Sequence, residues 1–368
     1  MPVAEMDVEL AEPIAAALHA AVDRSDTGYP ATDGVVQAAF LGFAELRWGW
    51  QPPADQVRLA PDVSVAAVEV LRLACPPTAE VVISSPVYPP FHHWPAAAGL
   101  RVIDVPMLDH GPHGGWGLDL GRIEASFAAG ARAYLLCHPH NPLGHIHPPS
   151  ELAALADLAQ RYGALVVSDE IHAPLTLPGA TFTPFLTVSE AARRHGVALH
   201  SASKAWNLAG LKSALIITDG SDPRYRLFEL PRELAWHSGH FGAIAATTAY
   251  TEAVDWLDAL GPVLAHNHQL LVEQLEAALP LALYRPGQAG YLAWVDCRAL
   301  GWGENPADPA LKLGRLALGI GPHFGAPGRG HVRVNLGCSP DVIPEAVRRL
   351  ARTDELLRAQ GKLPPSRS

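Results

Sequence analysis

One lysine, Lys204, lies in a polar segment at residues 201–204, directly after a predicted strand. A lysine on a loop at the edge of a sheet can be kept neutral by desolvation, and its amine can then attack an aldehyde. The hydroxyls of Ser201 and Ser203 can donate hydrogen bonds to a phosphate group. A lone lysine in such a loop is more often simply exposed, so this hypothesis depends on the other segments of the chain.

A carboxylate, Asp169, ends an apolar run at residues 166–169. A carboxylate buried there needs a cationic partner, and a protonated pyridine nitrogen is one that would make an aromatic ring an electron sink. A helix N-cap or a loop ion pair is the alternative. Because strand side chains alternate, Glu170 should point to the opposite face. Asp169, Glu170 and His172 therefore do not converge on a metal.

An asparagine, Asn141, follows the next apolar run, at residues 133–137. Its amide can donate to a phenolate oxygen, although an asparagine before a proline is also common in turns. Four histidines surround it: His138, His140, His145 and His147. No cysteine or carboxylate completes a tetrahedral set in this reading, and the spacing matches no zinc finger. We predict no metal.

Two further residues suit the recognition of a planar ring and an anion. Tyr88 follows a predicted strand in a proline-rich turn, where it can stack on a ring or act as a packing aromatic. Arg333 lies in the middle of a predicted strand at residues 331–335. Burying an arginine is costly unless it meets an anion. A substrate carboxylate gripped by both guanidinium nitrogens suits it, and a structural ion pair is equally open.

Apolar runs and helical stretches alternate from residue 56 onward, which predicts an α/β fold with a mainly parallel sheet covered on both faces. Ligands bind such sheets at the carboxyl ends of the strands, where the segments above lie. The predicted strands are 57–60, 80–84, 101–105, 133–137, 164–168, 198–200 and 214–218, and the helices are 63–73, 149–162 and 187–195.

The flanking regions predict a second, smaller α+β domain. Helices are expected at 13–24, 241–260, 266–279, 309–318 and 341–358, with strands at 291–296 and 331–335. Asp33 is expected to cap a helix that ends at Leu46. We expect residues 1–50 to pack with the small domain, residues 51–262 to form the large domain, residues 263–360 to form the small domain, and residues 361–368 to be a disordered tail.

The bulk properties exclude several classes of protein. A chain of 368 residues favours two domains. A net charge of −10 argues against nucleic-acid binding. The four cysteines form no C-x-x-C pair and are expected to be reduced. No apolar run is long enough to span a membrane, and the first residues lack the pattern of a signal peptide. We expect a cytoplasmic protein.

Taken in order, the segments SPVYPPF, HNPLG, VVSDEIH, SASKAWNLAGL, YLAWVD and VRVNLGC, with VAEMDVELAEPI at the start, resemble the fold-type I enzymes that use pyridoxal phosphate (PLP). This is the aspartate aminotransferase superfamily, class I/II, and the resemblance is closest to its MalY/PatB group of cystathionine β-lyase-like C–S lyases. It implies a large domain with a seven-stranded, mainly parallel sheet sandwiched by helices, and a smaller α+β domain.

The resemblance implies a role for each candidate residue. Lys204 is the Schiff-base lysine and the proton shuttle, and Asp169 pairs with the pyridine nitrogen. Asn141 and His172 lie near the ring's 3-oxygen. Two more roles follow: Tyr88 stacks on the ring, and Arg333 binds the substrate α-carboxylate.

The resemblance also places the cofactor phosphate. Ser201 and Ser203 help to hold it, together with the backbone amides of Asp62 and Val63 ahead of a helix. Lys212 stands where aminotransferases have a phosphate-binding arginine, and we interpret it as a cation that compensates the Asp62 carboxylate. Tyr29 is expected to reach the phosphate of a neighbouring subunit, which implies a homodimer with shared sites.

Three functions are compatible with these residues. The first is a β-lyase that cleaves cystathionine or cysteine S-conjugates to pyruvate, ammonia and a thiol. The second is an aminotransferase, which begins with the same steps and is the less favoured of the two. The third is a regulator that binds PLP without catalysis; such regulators carry an added basic DNA-binding domain, for which this chain has no residues to spare.

Overall fold

The structure is a computed structural model that describes residues 1–30, 34–111, 114–220 and 229–363. Asp33, the predicted helix cap, lies outside the described residues, as does most of the predicted tail. The helix that Asp33 was expected to cap begins after Gly34.

Within the described residues the strands are β1 Val57–Ala60, β2 Glu80–Ile83, β3 Arg101–Asp104, β4 Leu108–Asp109, β5 Trp116–Gly117, β6 Ala133–Cys137, β7 Leu165–Asp169, β8 Gly196–His200, β9 Ala214–Ile217, β10 Leu283–Tyr284, β11 Leu292–Asp296, β12 Gly319–Ile320 and β13 His331–Asn335. The helices are α1 Glu12–Asp23, α2 Val35–Trp48, α3 Val63–Ala74, α4 Trp94–Ala97, α5 Leu120–Ala128, α6 Pro149–Tyr162, α7 Glu190–His195, α8 Glu233–Trp236, α9 His240–Thr251, α10 Val254–Ala278, α11 Ala307–Lys312 and α12 Val342–Ala359.

A seven-stranded sheet in the order β1-β9-β8-β7-β6-β2-β3 forms the centre of the molecule. Five neighbouring strands, from β8 to β3, run parallel, and β9 runs antiparallel to both of its neighbours. The predicted mainly parallel sheet of seven strands is confirmed. Because β1 and β8 both pair antiparallel with β9, the carboxyl ends of β1, β2, β6, β7 and β8 all meet at one edge.

Alternate residues of these strands face two separate apolar cores, which is why the strands are apolar throughout. One face packs on α1, α2, α5, α6 and α9, around buried aromatics such as Phe40, Phe43 and Trp206. The other face packs on α3, α4 and α8, around Leu71 and Phe91. The sheet is therefore covered on both sides.

A second, antiparallel sheet in the order β10-β11-β13-β12 packs on α10, α11 and α12 around a core of its own. The N-terminal region differs from the prediction. Helices α1 and α2 pack on α9 in the core of the large sheet, whereas the first seven residues pair with the small sheet, for example through Asn335.

The helix break predicted near Pro262 is wrong. Helix α9 ends at Thr251, and α10 continues through Pro262 to Ala278. A proline removes one helical hydrogen bond. Buried residues at helical spacing, such as Leu257, Leu264 and Leu271, nevertheless lie on both sides of it. Packing of this continuous apolar face offsets the lost bond. No described helix is long and apolar enough to cross a membrane.

Candidate active site

A cavity opens at the edge of the large sheet where the carboxyl ends of five strands meet. It contains ten of the twelve predicted site residues: Asp62, Val63, Tyr88, Asn141, Asp169, His172, Ser201, Ser203, Lys204 and Lys212. Arg333 and Tyr29 do not line it. Most of these residues lie at the carboxyl end of a buried strand or on the loop that follows it, so the topology of the sheet brings together segments distant in sequence.

Asp169 ends β7 and is buried at one side of the cavity. Burial raises the pKa of its carboxyl to about 7, and the carboxylate accepts a hydrogen bond from the Ile171 amide at 3.2 Å. Among the described residues it forms no salt bridge. Glu170 points to the opposite side of the sheet, as strand alternation predicts, and pairs with His200 at 2.8 Å. Asp169 is thus a buried carboxylate without a direct ion-pair partner, and only the charge of Lys204 across the cavity lowers its pKa electrostatically.

Lys204 projects into the same cavity from the loop after β8. Burial lowers the pKa of its amine, and the charge of Arg333 lowers it further, against the opposing effects of Glu5 and Asp169. Its Nζ donates to the carbonyl of Ala4 at 2.8 Å. The amine is therefore held in place and biased toward the neutral, nucleophilic form.

Arg333 lies on β13 of the small sheet and reaches the cavity through Asn141. Its Nη1 donates to Asn141 Oδ1 at 3.2 Å, and its Nη2 donates to the Pro2 carbonyl at 2.8 Å. Burial lowers the pKa of the guanidinium to about 10, and the buried Nε has no hydrogen-bond partner among the described residues. The guanidinium lies over the ring of Phe324 at 5.0 Å. It has no carboxylate partner in the described part of the chain, so an anion can bind there.

Tyr88 and His172 line further parts of the cavity wall. The Tyr88 amide donates to the Asn141 carbonyl at 3.0 Å, and burial raises the pKa of the Tyr88 hydroxyl. His172 is buried, and burial lowers the pKa of its imidazole to about 3. Its ring centre lies 6.4 Å from that of Tyr291. At neutral pH these groups present a neutral phenol and a neutral imidazole.

The N-terminus of α3 also lines the cavity. The first-turn amides of Val63 and Ser64 have no acceptor within the helix, which makes this end a site for an anion. Asp62 caps the helix by accepting from the Val65 amide at 2.8 Å, and its other oxygen pairs with Lys212 at 3.1 Å. This pairing agrees with the interpretation of Lys212 as compensating Asp62. The Asp62 carboxylate is thereby bonded within the protein, and Lys212 offsets the charge that would otherwise repel an incoming anion.

The two serines differ in their hydrogen bonds. The Ser201 hydroxyl donates to the Ser213 carbonyl at 2.6 Å and accepts from the Ser203 amide at 3.1 Å. Its proton is therefore committed to the backbone, so in this arrangement the predicted donation from Ser201 to a phosphate is not available. The Ser203 hydroxyl has no such bond within the described part of the chain and remains available as a donor.

Sequence reasoning missed several cavity residues. Ser64 could have been found as the second residue of a helix that begins at a strand end. Ala4 contributes a backbone carbonyl, for which no side-chain pattern exists. Tyr29 is 86% exposed, and its ring centre lies 6.2 Å from that of Trp236, so this chain alone gives it no contact with the cavity.

A larger cleft of about 460 Å³ lies elsewhere, between Trp48, Phe182 and Leu257. It contains the ion pair between Arg47 and Asp258, and none of the predicted site residues lines it. Because its charged groups already neutralise each other, it lacks the unpaired groups that distinguish the smaller cavity.

The unpaired groups of the smaller cavity fit pyridoxal phosphate. Lys204 supplies an amine for the aldehyde, and Asp169 supplies a buried anion for a protonated ring nitrogen. The free amides of Val63 and Ser64, with the Ser203 hydroxyl, face the place of a phosphate. The orphaned carboxylate of Asp169 is the most specific of these observations, because a buried anion without a cation is costly.

Comparisons with known proteins agree with this geometry. The sequence profile of the family described as "Aminotransferase class I and II" matches residues 12–350. A Mycobacterium leprae protein provisionally named a cystathionine beta-lyase is 41% identical, over 95% of this chain and 90% of its own length. Cystathionine beta-lyase PatB of Bacillus subtilis is 31% identical, over 95% and 91%. A Corynebacterium diphtheriae crystal structure, provisionally named a PLP-dependent beta-cystathionase, superposes with a TM-score of 0.91 at 33% identity, covering 96% of this chain and 92% of that one.

Proposed function

Because this chain belongs to the aminotransferase class I and II family, we propose that its cavity binds pyridoxal phosphate and cleaves the C–S bond of L-cystathionine or a cysteine S-conjugate. The products are pyruvate, ammonia and a thiol. The observation that carries the proposal is the convergence of Lys204, Asp169 and the Arg333–Asn141 pair on one cavity. They supply an amine, and a carboxylate and a guanidinium that form no ion pair within the described residues.

The cofactor, when bound, supplies an electron sink that stabilises negative charge at the substrate α-carbon. The protein's part begins with Lys204, whose Nζ holds the cofactor and then removes the proton from Cα. A lowered amine pKa suits this step, because a neutral amine is needed at working pH. Asp169 remains ionised when it faces a protonated ring nitrogen, which restores the pairing that the buried carboxylate lacks.

Arg333 and Asn141 orient the substrate through its α-carboxylate. In the structure the Arg333 Nη2 donates to the Pro2 carbonyl, a neutral acceptor that a substrate carboxylate would replace with a charge-assisted bond. Lys204 similarly exchanges its bond to the Ala4 carbonyl for the reacting atoms. The N-terminal residues therefore occupy the positions that the substrate and cofactor need.

Tyr88 forms the face of the cavity on which a planar ring stacks. Its own ring lies edge-on to Phe91 and Trp94, with centroid distances of 6.5 and 6.1 Å, which fixes its plane. A raised hydroxyl pKa keeps Tyr88 neutral. His172, also neutral, lies with Asn141 near the side of the ring that carries the 3-oxygen. Both groups hold the cofactor without adding charge.

The assembly belongs to the same proposal. The exposed Tyr29 reaches the cofactor phosphate of a second copy, which makes the protein a homodimer with shared sites. Helix α10 joins the large domain, residues 51–262 with α1 and α2 packed on it, to the small domain, residues 263–360. The cavity lies in the large domain, and the small domain supplies Arg333 next to it. Four free cysteines support a reducing, cytoplasmic location.

The test separates elimination from amino transfer. The purified protein is loaded with PLP and given L-cystathionine, and pyruvate and thiol are measured with and without an added keto acid. We expect pyruvate and thiol in equal amounts and no need for the keto acid. If the keto acid is converted to its amino acid and neither thiol nor pyruvate is released, the protein is an aminotransferase. The control variant is Lys312→Ala, which removes an exposed lysine of α11 and should leave the rate of pyruvate release unchanged.

A further inference from the structure

A cluster of histidines lies beside the turn that carries Asn141, outside the proposed cofactor cavity. His145 and His147 are two residues apart on the segment between β6 and α6. An isolated antiparallel bridge between His140 and His145 places His138 and His140 on the adjoining segment. The ring centre of His147 lies 4.8, 5.6 and 5.9 Å from those of His145, His138 and His140.

The structure adds a carboxylate that the sequence reading did not find. Helix α6 begins at Pro149, and its first turn brings Glu151 back to His147, with Oε2 and Nδ1 2.6 Å apart. One ligand atom from each of His145, His147 and Glu151 lies within 4.8 Å of the others. The expectation of no metal rested on the lack of such a carboxylate.

Several polar atoms in this cluster lack partners. His138 Nδ1, His140 Nδ1 and His145 Nε2 are buried ring nitrogens with no hydrogen-bond partner among the described residues. His138 and His140 are themselves almost wholly buried. Buried polar atoms are nearly always paired. His147 Nε2 also lacks a partner among the described residues, so four ring nitrogens of the cluster are unpaired, which indicates a missing ligand.

Space and access are also present. A Cβ atom at position 117 would lie only 3.1 Å from both Glu151 Oε1 and His110 Nε2, so Gly117 lets these two side chains approach each other beside the cluster. His145 lines a cleft of about 510 Å³ that opens to solvent. The cation in this cleft, Arg285, is paired with Asp109 at 2.9 Å, so its charge is offset.

We propose that His145, His147 and Glu151 bind one divalent metal ion of the zinc class, which would replace the hydrogen bond between His147 and Glu151. Two imidazoles and one carboxylate are a ligand set that zinc favours, with a fourth position left for water or a neighbouring histidine. Two imidazoles on one tetrahedral zinc have ring centres about 5 Å apart, close to the spacing of His145 and His147. The ion would fix the turn at residues 140–145 and hence the position of Asn141.

The test uses tag-free protein, because a histidine tag binds zinc itself. Chelator-treated protein, reloaded with PLP, is titrated calorimetrically with ZnCl₂, and its melting temperature is measured with and without zinc. We expect one ion per chain and a higher melting temperature with zinc. His145→Gln and Glu151→Gln should each weaken binding at least about tenfold. His19→Gln, an exposed histidine on α1, should leave it unchanged.

Two outcomes would overturn the proposal: no zinc binding by the wild-type chain, or binding that both ligand variants retain. Glu151 also accepts from the Leu118 amide at 2.7 Å, so its variant can disturb folding. The side chain of the half-buried His145 accepts no such bond among the described residues. If Glu151→Gln does not fold, zinc binding by His145→Gln alone tests the proposal. The result does not depend on lyase activity, so this proposal and the proposed function can fail separately.

Discussion

Lys204, Asp169 and Asn141 could be predicted as a set because each is a polar residue placed directly after an apolar strand. The carboxyl ends of parallel strands meet, and polar residues there are expensive unless they serve a ligand. The sequence could not predict which of the polar groups form hydrogen bonds or ion pairs with one another. The pairing of Asp62 with Lys212 depends on distances between two loops.

Asp169 gives the clearest prediction at this scale. Its pKa in the folded protein, about 7, is above the unfolded value, so the buried ionised form destabilises the fold. The stability of the cofactor-free protein should therefore fall relative to Asp169→Asn as the pH rises from about 4 to about 7, by on the order of 3 kcal/mol. Urea unfolding of both proteins across this range measures the difference.

With PLP bound, the wild type should become more stable than Asp169→Asn, because the protonated ring nitrogen gives the Asp169 carboxylate its cation. The increase in stability on adding PLP should be larger for the wild type than for the asparagine variant. A difference between the two proteins that does not change with pH would show that Asp169 is not buried as an unpaired acid.

At the scale of elements, the strands were easier to predict than the joins between helices. Buried parallel strands are short apolar runs, whatever they contact. The boundary between α9 and α10 depends instead on which face is buried. The gap expected at residues 261–265 lies inside α10, where tertiary packing outweighs the hydrogen bond lost at Pro262. The N-terminal helices likewise pack where their apolar faces fit.

The turn after β6 depends on a close approach between two glycines. Gly144 has a φ of +61°, and a Cβ there would lie 2.8 Å from the Cα of Gly287. Gly144→Ala should lower the free energy of unfolding by about 1–3 kcal/mol more than Gly179→Ala. Gly179 also has a positive φ, +87°, but open space around it. Equal losses in the two variants would mean that the contact with Gly287 does not matter.

At the scale of the whole molecule, one chain leaves Tyr29 exposed and without a role. An aromatic residue that is 86% exposed beside Trp236, itself 61% exposed, is unusual unless a partner covers it. The proposed dimer explains both residues. A single chain could not reveal this, because the contact that Tyr29 is expected to make lies on another copy.

Hybrid dimers test the shared site directly. Lys204→Ala and Tyr29→Ala proteins, each inactive or weak alone, are mixed, unfolded together and refolded. If Tyr29 serves the neighbouring subunit, each hybrid dimer contains one intact site, and the mixture should regain about a quarter of wild-type activity. No recovery, with dimers present by ultracentrifugation, would place Tyr29 in its own subunit or outside catalysis.

The central claim is that Lys204 holds the cofactor and carries out the chemistry, and its most direct measurement compares the wild type with Lys204→Ala. Both proteins are given PLP, their absorbance is recorded, and pyruvate release from L-cystathionine is assayed. We predict an absorbance band near ~420 nm in the wild type only, and pyruvate from the wild type only. A wild-type protein without a Lys204-dependent band, or a variant that releases pyruvate at an undiminished rate, would contradict the account.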